Sequence, residues 1–146
     1  MSDAQPVEIS PADFQREIEA GPAGRLMTKL GLQFLEVGAN RMAARMPVEG
    51  NTQPYGLLHG GVTAALCETL GSIGTALHAG PDRLVTGIEL NVNHLRAVRK
   101  GHVIGTGVPL HLGRTTAVWD MRVHDEEGRL VAVSRLTLAI REARSD

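Results

Sequence analysis

The stretch from His59 to His78, rich in Ala, Leu and Thr and free of proline, constrains this chain more than any other feature. Val62, Leu66, Thr69, Leu70, Ile73 and Leu77 recur there at helical spacing, which predicts one long helix. At about 100° per residue, Ala64, Glu68, Ser72 and Thr75 fall nearly opposite that apolar stripe. This second face is small and polar instead of studded with Lys and Glu. Small residues admit a close neighbour, so the expectation is that a partner subunit covers this side.

The flanking segments follow other rules. Ser10-Pro11 opens a first helix, the Ser hydroxyl offering a cap and Pro at the first position needing no amide partner; Gly21-Pro22 should stop it. Leu32–Val37 and Arg41–Pro47 read as short strands turning at Gly38-Ala39-Asn40, where Gly and Asn tolerate positive φ. From Leu84 the period becomes two: Ile88, Leu90 and Val92 alternate with polar residues, and His102–Leu112, Thr115–His124 and Arg129–Ile140 continue the pattern. Asp125-Glu126-Glu127-Gly128 suits the last hairpin turn. The order predicts one α+β domain over residues 1–146, an antiparallel sheet wrapped around a single central helix, which is the hot-dog arrangement. One helix cannot cover a broad sheet, and an open edge strand is a hazard, so side-by-side pairing of two sheets is expected.

Composition narrows the function classes. With 146 residues, 42% of them hydrophobic, there is material for one real core and no second domain. A formal net charge of -1 supplies no broad field for nucleic acid or an acidic membrane. Met1 to Ile9 lacks the basic-then-apolar pattern of a leader and no later run is long enough to span a bilayer, so a cytoplasmic protein is expected. Cys67 is the single cysteine, which excludes an internal disulfide and a thiolate-rich metal site. Histidines at 59, 78, 94, 102, 111 and 124 lack short ligand spacing, so no metal is expected.

The chemistry gathers at Tyr55-Gly56-Leu57-Leu58-His59-Gly60-Gly61, which runs straight into the long helix. Amides of Gly60 and Gly61, at the positive end of the helix dipole, can stabilise an oxyanion formed when a carbonyl is attacked. The alternative is that both glycines only permit tight packing. Glu68 lies among apolar neighbours, where a buried acid is costly. It is either an exposed helix-surface residue or, with Ser72 one turn on to hydrogen-bond it, a nucleophile or general base. Gly71-Ser72-Ile73-Gly74 is no serine-hydrolase elbow, because it lies within a helix. Gly105-Thr106-Gly107 sits in a strand pattern and marks a bulge or close packing.

Gln53-Pro54-Tyr55-Gly56-Leu57-Leu58-His59-Gly60-Gly61, then Ala65-Leu66-Cys67-Glu68-Thr69-Leu70-Gly71-Ser72, and Leu110-His111-Leu112-Gly113-Arg114 together resemble the hot-dog acyl-CoA thioesterases. These include the Glu-type 4-hydroxybenzoyl-CoA thioesterases, the phenylacetate-pathway enzymes, and the proofreading and menaquinone-pathway thioesterases of bacteria. The likeness runs from about Leu30 to Ile140. It implies that Gly60 N–H polarises the thioester carbonyl while Glu68 of a neighbouring subunit attacks it or activates water. By the same resemblance, Gln53 and His59 orient the acyl thioester and Ser72 supports the water. His94 approaches the acyl pocket, and Arg96, Arg114, Thr115 and Arg144 hold the nucleotide. His94 could equally be a hydrogen-bonded strand residue, and each basic group an ordinary surface one. No cofactor is implied beyond the coenzyme A of the substrate, which the resemblance makes an aromatic acyl-CoA, and the expected assembly is a dimer of dimers. Two other readings stand beside it: a hot-dog dehydratase of hydroxyacyl thioesters, and an acyl-CoA sensor without turnover.

Overall fold

A computed structural model describes residues 8–22 and 24–143. The elements run β1 (Glu8–Ile9), α1 (Pro11–Ala20), α2 (Arg25–Leu30), β2 (Gln33–Gly38), β3 (Met42–Pro47), α3 (Gly60–Ala79), β4 (Arg83–His94), β5 (His102–Leu112), β6 (Thr116–Asp125) and β7 (Leu130–Glu142). All seven strands form one antiparallel sheet in the order β1-β2-β3-β5-β6-β7-β4. The sheet wraps α3, as the hot-dog expectation requires. The chain crosses over after α3, so β4 lands beside β7 at the far edge while β5 returns to β3.

The predicted elements are present, with local differences. Pro11 holds the first helical position, but the Ser10 hydroxyl makes no capping hydrogen bond. The β2–β3 turn contains no left-handed residue, because neither Gly38 nor Asn40 has positive φ. In the β6–β7 turn, by contrast, Gly128 takes φ +76 and Asp125 Oδ1 accepts the Glu127 and Arg129 amides at 3.0 and 2.9 Å. The short β1 and α2 have no counterpart in the sequence reading. Six residues of α2 and two of β1 are too few to show a period.

The larger difference is the rotation of α3. Its fully buried residues are Thr63, Leu66, Cys67, Leu70, Gly71, Gly74 and Thr75, while Val62, Ile73 and Leu77 are only half-buried. The core-facing side is turned by roughly one residue, about 100°, from the stripe of large apolar side chains. Thr75, placed by periodicity opposite that stripe, faces the sheet and accepts a hydrogen bond from Trp119 Nε1 at 2.9 Å. The cause is a division of volume. The sheet supplies the bulk, Trp119, Met121 and Leu136, and the helix supplies the space. A Cβ on Gly71 would lie 2.5 Å from Leu136 Cδ2, and one on Gly74 would collide with the Trp119 ring. Gly105 and Gly107 of β5 show the same close packing, against Leu66 and Met121. Each large side chain buried here contributes about 1.5–3 kcal/mol. Loss of the Thr75 hydroxyl would leave the buried indole N–H unpaired, at a cost of about 1–3 kcal/mol. No helix among the described residues is long and apolar enough to cross a membrane.

Candidate active site

The loop leading into α3 is held at several points. Asn51, 8% exposed, donates from Nδ2 to Leu30 O at 2.8 Å and Pro47 O at 2.9 Å, and its backbone carbonyl accepts His59 N–H at 2.9 Å. Gln53 N–H donates to Leu57 O at 2.8 Å and Gly56 N–H to Gln53 O at 2.9 Å, closing a tight turn in which Gly56 has φ +74. The Gln53 side-chain oxygen accepts the Tyr55 amide, so its NH₂ is left to donate. Leu58 N–H donates to Val98 O at 2.8 Å, tying this loop to the segment after β4.

His59 caps the helix. Its Nδ1 accepts Gly61 N–H at 2.9 Å, while Val62 and Thr63 return their amides to His59 O. An accepting Nδ1 puts the neutral ring's proton on Nε2, where it can donate outward. Gly61 N–H is therefore consumed by the cap. Gly60 N–H has no intramolecular partner among the described residues and sits at the positive end of a twenty-residue helix. Of the two glycine amides offered by the sequence, the structure leaves one for a ligand.

That amide borders a cavity of about 360 Å³ lined by Gln53, Gly60, His94 and Arg96 together with the apolar Leu58 and Val98. The His94 ring lies against Gly60, where an added Cβ would be 2.8 Å from Nε2. Four of the residues singled out by sequence thus meet in one place, and His59 stands beside them as the cap.

Glu68 and Ser72 do not join them. Eight residues of helix separate Glu68 from Gly60, a rise of about 12 Å. The Glu68 carboxylate instead rests on Gly87 of β4, where any Cβ would collide with Oε1. Gly87 adjoins a register shift that leaves Ile88 as an extra residue in β4. Burial raises the Glu68 pKa above its ordinary 4.5, and a hydrogen bond with Ser72 pulls the other way. The half-buried Glu68 is thus a carboxylate with partial desolvation and one polar support. Cys67, its neighbour on the core side, is fully buried with its thiol pushed up to about 11, which makes it a packing residue.

Arg114 and Thr115 lie at the opposite end. His78, on the last turn of α3, contacts Gly113 O at 3.2 Å, and α3 rises about 27 Å from Gly60 to His78. There Arg114 O accepts from Arg83 Nη2 at 3.0 Å and Thr115 O from Ile140 N–H at 2.9 Å. Arg144 lies outside the described residues. Sequence reasoning missed Gly87 and Asn51. An isolated glycine inside a strand pattern was the available signal for the first, since it marks close approach. A buried asparagine has no such local mark.

A sequence profile described as the thioesterase superfamily matches residues 55–132. The chain is 43% identical to the proofreading thioesterase EntH of Cronobacter turicensis, over 84% of this chain and 90% of that one. It is also 43% identical to the 1,4-dihydroxy-2-naphthoyl-CoA hydrolase of Escherichia coli, over 80% and 87%. A thioesterase crystal structure from Haemophilus influenzae superposes with a TM-score of 0.83 at 36% identity, covering 92% of each chain.

Proposed function

The chain belongs to the thioesterase superfamily with the hot-dog fold, and from that membership we propose that it hydrolyses an aromatic acyl-CoA to the free acid and coenzyme A in a site shared by two copies. Gly60 N–H of one copy polarises the thioester carbonyl, and Glu68 of the other supplies the carboxylate. The observation that supports this reading is a separation. Gly60 and Glu68 are eight residues apart on one helix, a rise of about 12 Å, and the Glu68 carboxylate is turned onto Gly87 while Gly60 faces His94, so the two are not arranged about one carbonyl within one chain. Both nevertheless lie beside β4, against His94 and Gly87 respectively, and β4 is the unpaired edge of the sheet. A second copy joined antiparallel along that edge brings each Glu68 toward the other copy's Gly60.

In such a site His59 Nε2–H and the Gln53 amide orient the thioester. Glu68 either attacks the carbonyl, expelling the thiolate and leaving an anhydride that water opens, or takes a proton from a water held by Ser72. The names of the relatives, one acting on a naphthoyl-CoA, favour the aromatic class.

Thiol release from aromatic and aliphatic acyl-CoAs tests the reading, with Glu68→Ala expected to lose about 10²–10⁴ in kcat. A shared site adds a sharper test. Gly60→Pro removes the amide at a first helical position that suits proline. Glu68→Ala and Gly60→Pro chains, each inactive alone, should recover about a quarter of native activity when reassembled as a mixture, since half the pairs are mixed and each holds one intact site. No recovery in verified mixed pairs would place both groups of the site in one chain.

A further inference from the structure

Tyr55, the single tyrosine, is 82% exposed, whereas Trp119 is fully buried and Phe34 is 7% exposed. An aromatic ring in water is unremarked on a loose loop, but this loop is pinned on both sides of the residue. The Tyr55 amide is held by Gln53 Oε1, the next amide by Gln53 O, and the Tyr55 carbonyl by Arg99 Nη1 at 3.2 Å. The ring is thus presented from a fixed backbone, at low ordering cost on binding. Arg99 lies against the Tyr55 backbone, spending one of five N–H donors on the Tyr55 carbonyl, and the exposed Arg96 lines the Gly60 cavity together with Gln53. Tyr55 is five residues from Gly60, at most about 18 Å along the chain. That distance is within the span of an extended pantetheine arm.

We infer that Tyr55 is the stacking face for the adenine ring of coenzyme A, with Arg96 and Arg99 for the phosphates. This assignment rests on the acyl-CoA reading of the Gly60 cavity. A purine needs a single aromatic face and gains from a nearby guanidinium. A protein partner would need a patch of many residues, and the flanking Pro54 and Gly56 offer little apolar area.

Calorimetric titration of native protein, Tyr55→Ala and Tyr55→Phe with coenzyme A and with pantetheine tests it. Tyr55→Ala should weaken coenzyme A binding about ten-fold, equivalent to about 1.4 kcal/mol, and leave pantetheine binding unchanged. Tyr55→Phe, which keeps the ring, should match native protein. Equal losses for both ligands, no loss for either, or a native protein that does not prefer coenzyme A to pantetheine would overturn the assignment. Thiol release measured in parallel separates the two readings. A Tyr55-dependent preference for coenzyme A without turnover of any acyl-CoA sinks the hydrolase and keeps the stacking face, whereas turnover with no Tyr55-dependent preference for coenzyme A does the reverse.

Discussion

The two edges of the sheet are finished in opposite ways. At one, β1 pairs with Val37 and Gly38 of β2, and a side chain caps the edge nearer its start. Gln15 of α1 donates to Leu32 O at 3.2 Å and accepts Phe34 N–H at 3.1 Å, so its carboxamide occupies the place of a neighbouring strand. At the other edge β4 presents twelve residues paired only on the β7 side, with Leu84 53% and Ile88 61% exposed. An open edge of this length invites pairing with another chain. Glu68 and Gly60 both lie against the open edge, through Gly87 and His94. Closure lies away from Glu68 and Gly60, and the open edge lies beside them, as the proposed shared site requires.

This contrast breaks if β4 variants spare activity or Gln15 variants abolish it. The largest expected effect is at Gly87. Gly87→Ala puts a methyl where the Glu68 carboxylate rests, and a displacement near 1 Å should cost about 10² in kcat with the thermal midpoint nearly unchanged. Steady-state kinetics beside a melting curve would read both. At the closed edge Gln15→Ala removes the two hydrogen bonds to that edge and a third to Glu19, and a stability loss of about 1–2 kcal/mol by urea titration is expected with kcat unaltered. The smallest effect concerns Ser72 and pH. Because burial raises the Glu68 pKa above 4.5, the carboxylate forms at higher pH than for an ordinary glutamate, and activity should rise through that higher value. The same shift means that the neutral form favours folding, a contribution present below 4.5 and lost as pH climbs through the raised value. The Ser72 hydrogen bond stabilises the charged form, so Ser72→Ala should move the acid limb of the pH–rate profile upward. A limb that stays put or falls would remove Ser72 from the support of Glu68.

Legibility in the sequence followed the range of the forces involved. The span of α3, the His59–Gly60–Gly61 start and the long strands β5 to β7 were readable because spacing, capping and turn chemistry act among near neighbours. The facing of α3 was not. Counting large apolar residues overlooked Gly71, Gly74 and Thr75, whose smallness answers Trp119, Met121 and Leu136 far along the chain. Gly60 and Glu68 were both singled out from local context, yet their placement in separate environments was not visible there.

By itself the sequence determined the longer elements, their order and the chemical types available at the start and middle of one helix, though not the short β1 and α2. Only the tertiary structure decided that β4 ends the sheet, that the Glu68 carboxylate lies on Gly87 partly removed from water, and that Gly60 keeps its amide free while Gly61 spends its own on His59. The reason is physical. Helix and strand periods repeat over a few residues, whereas desolvation, close approach and an unpaired edge depend on segments brought together only when the sheet closes around the helix.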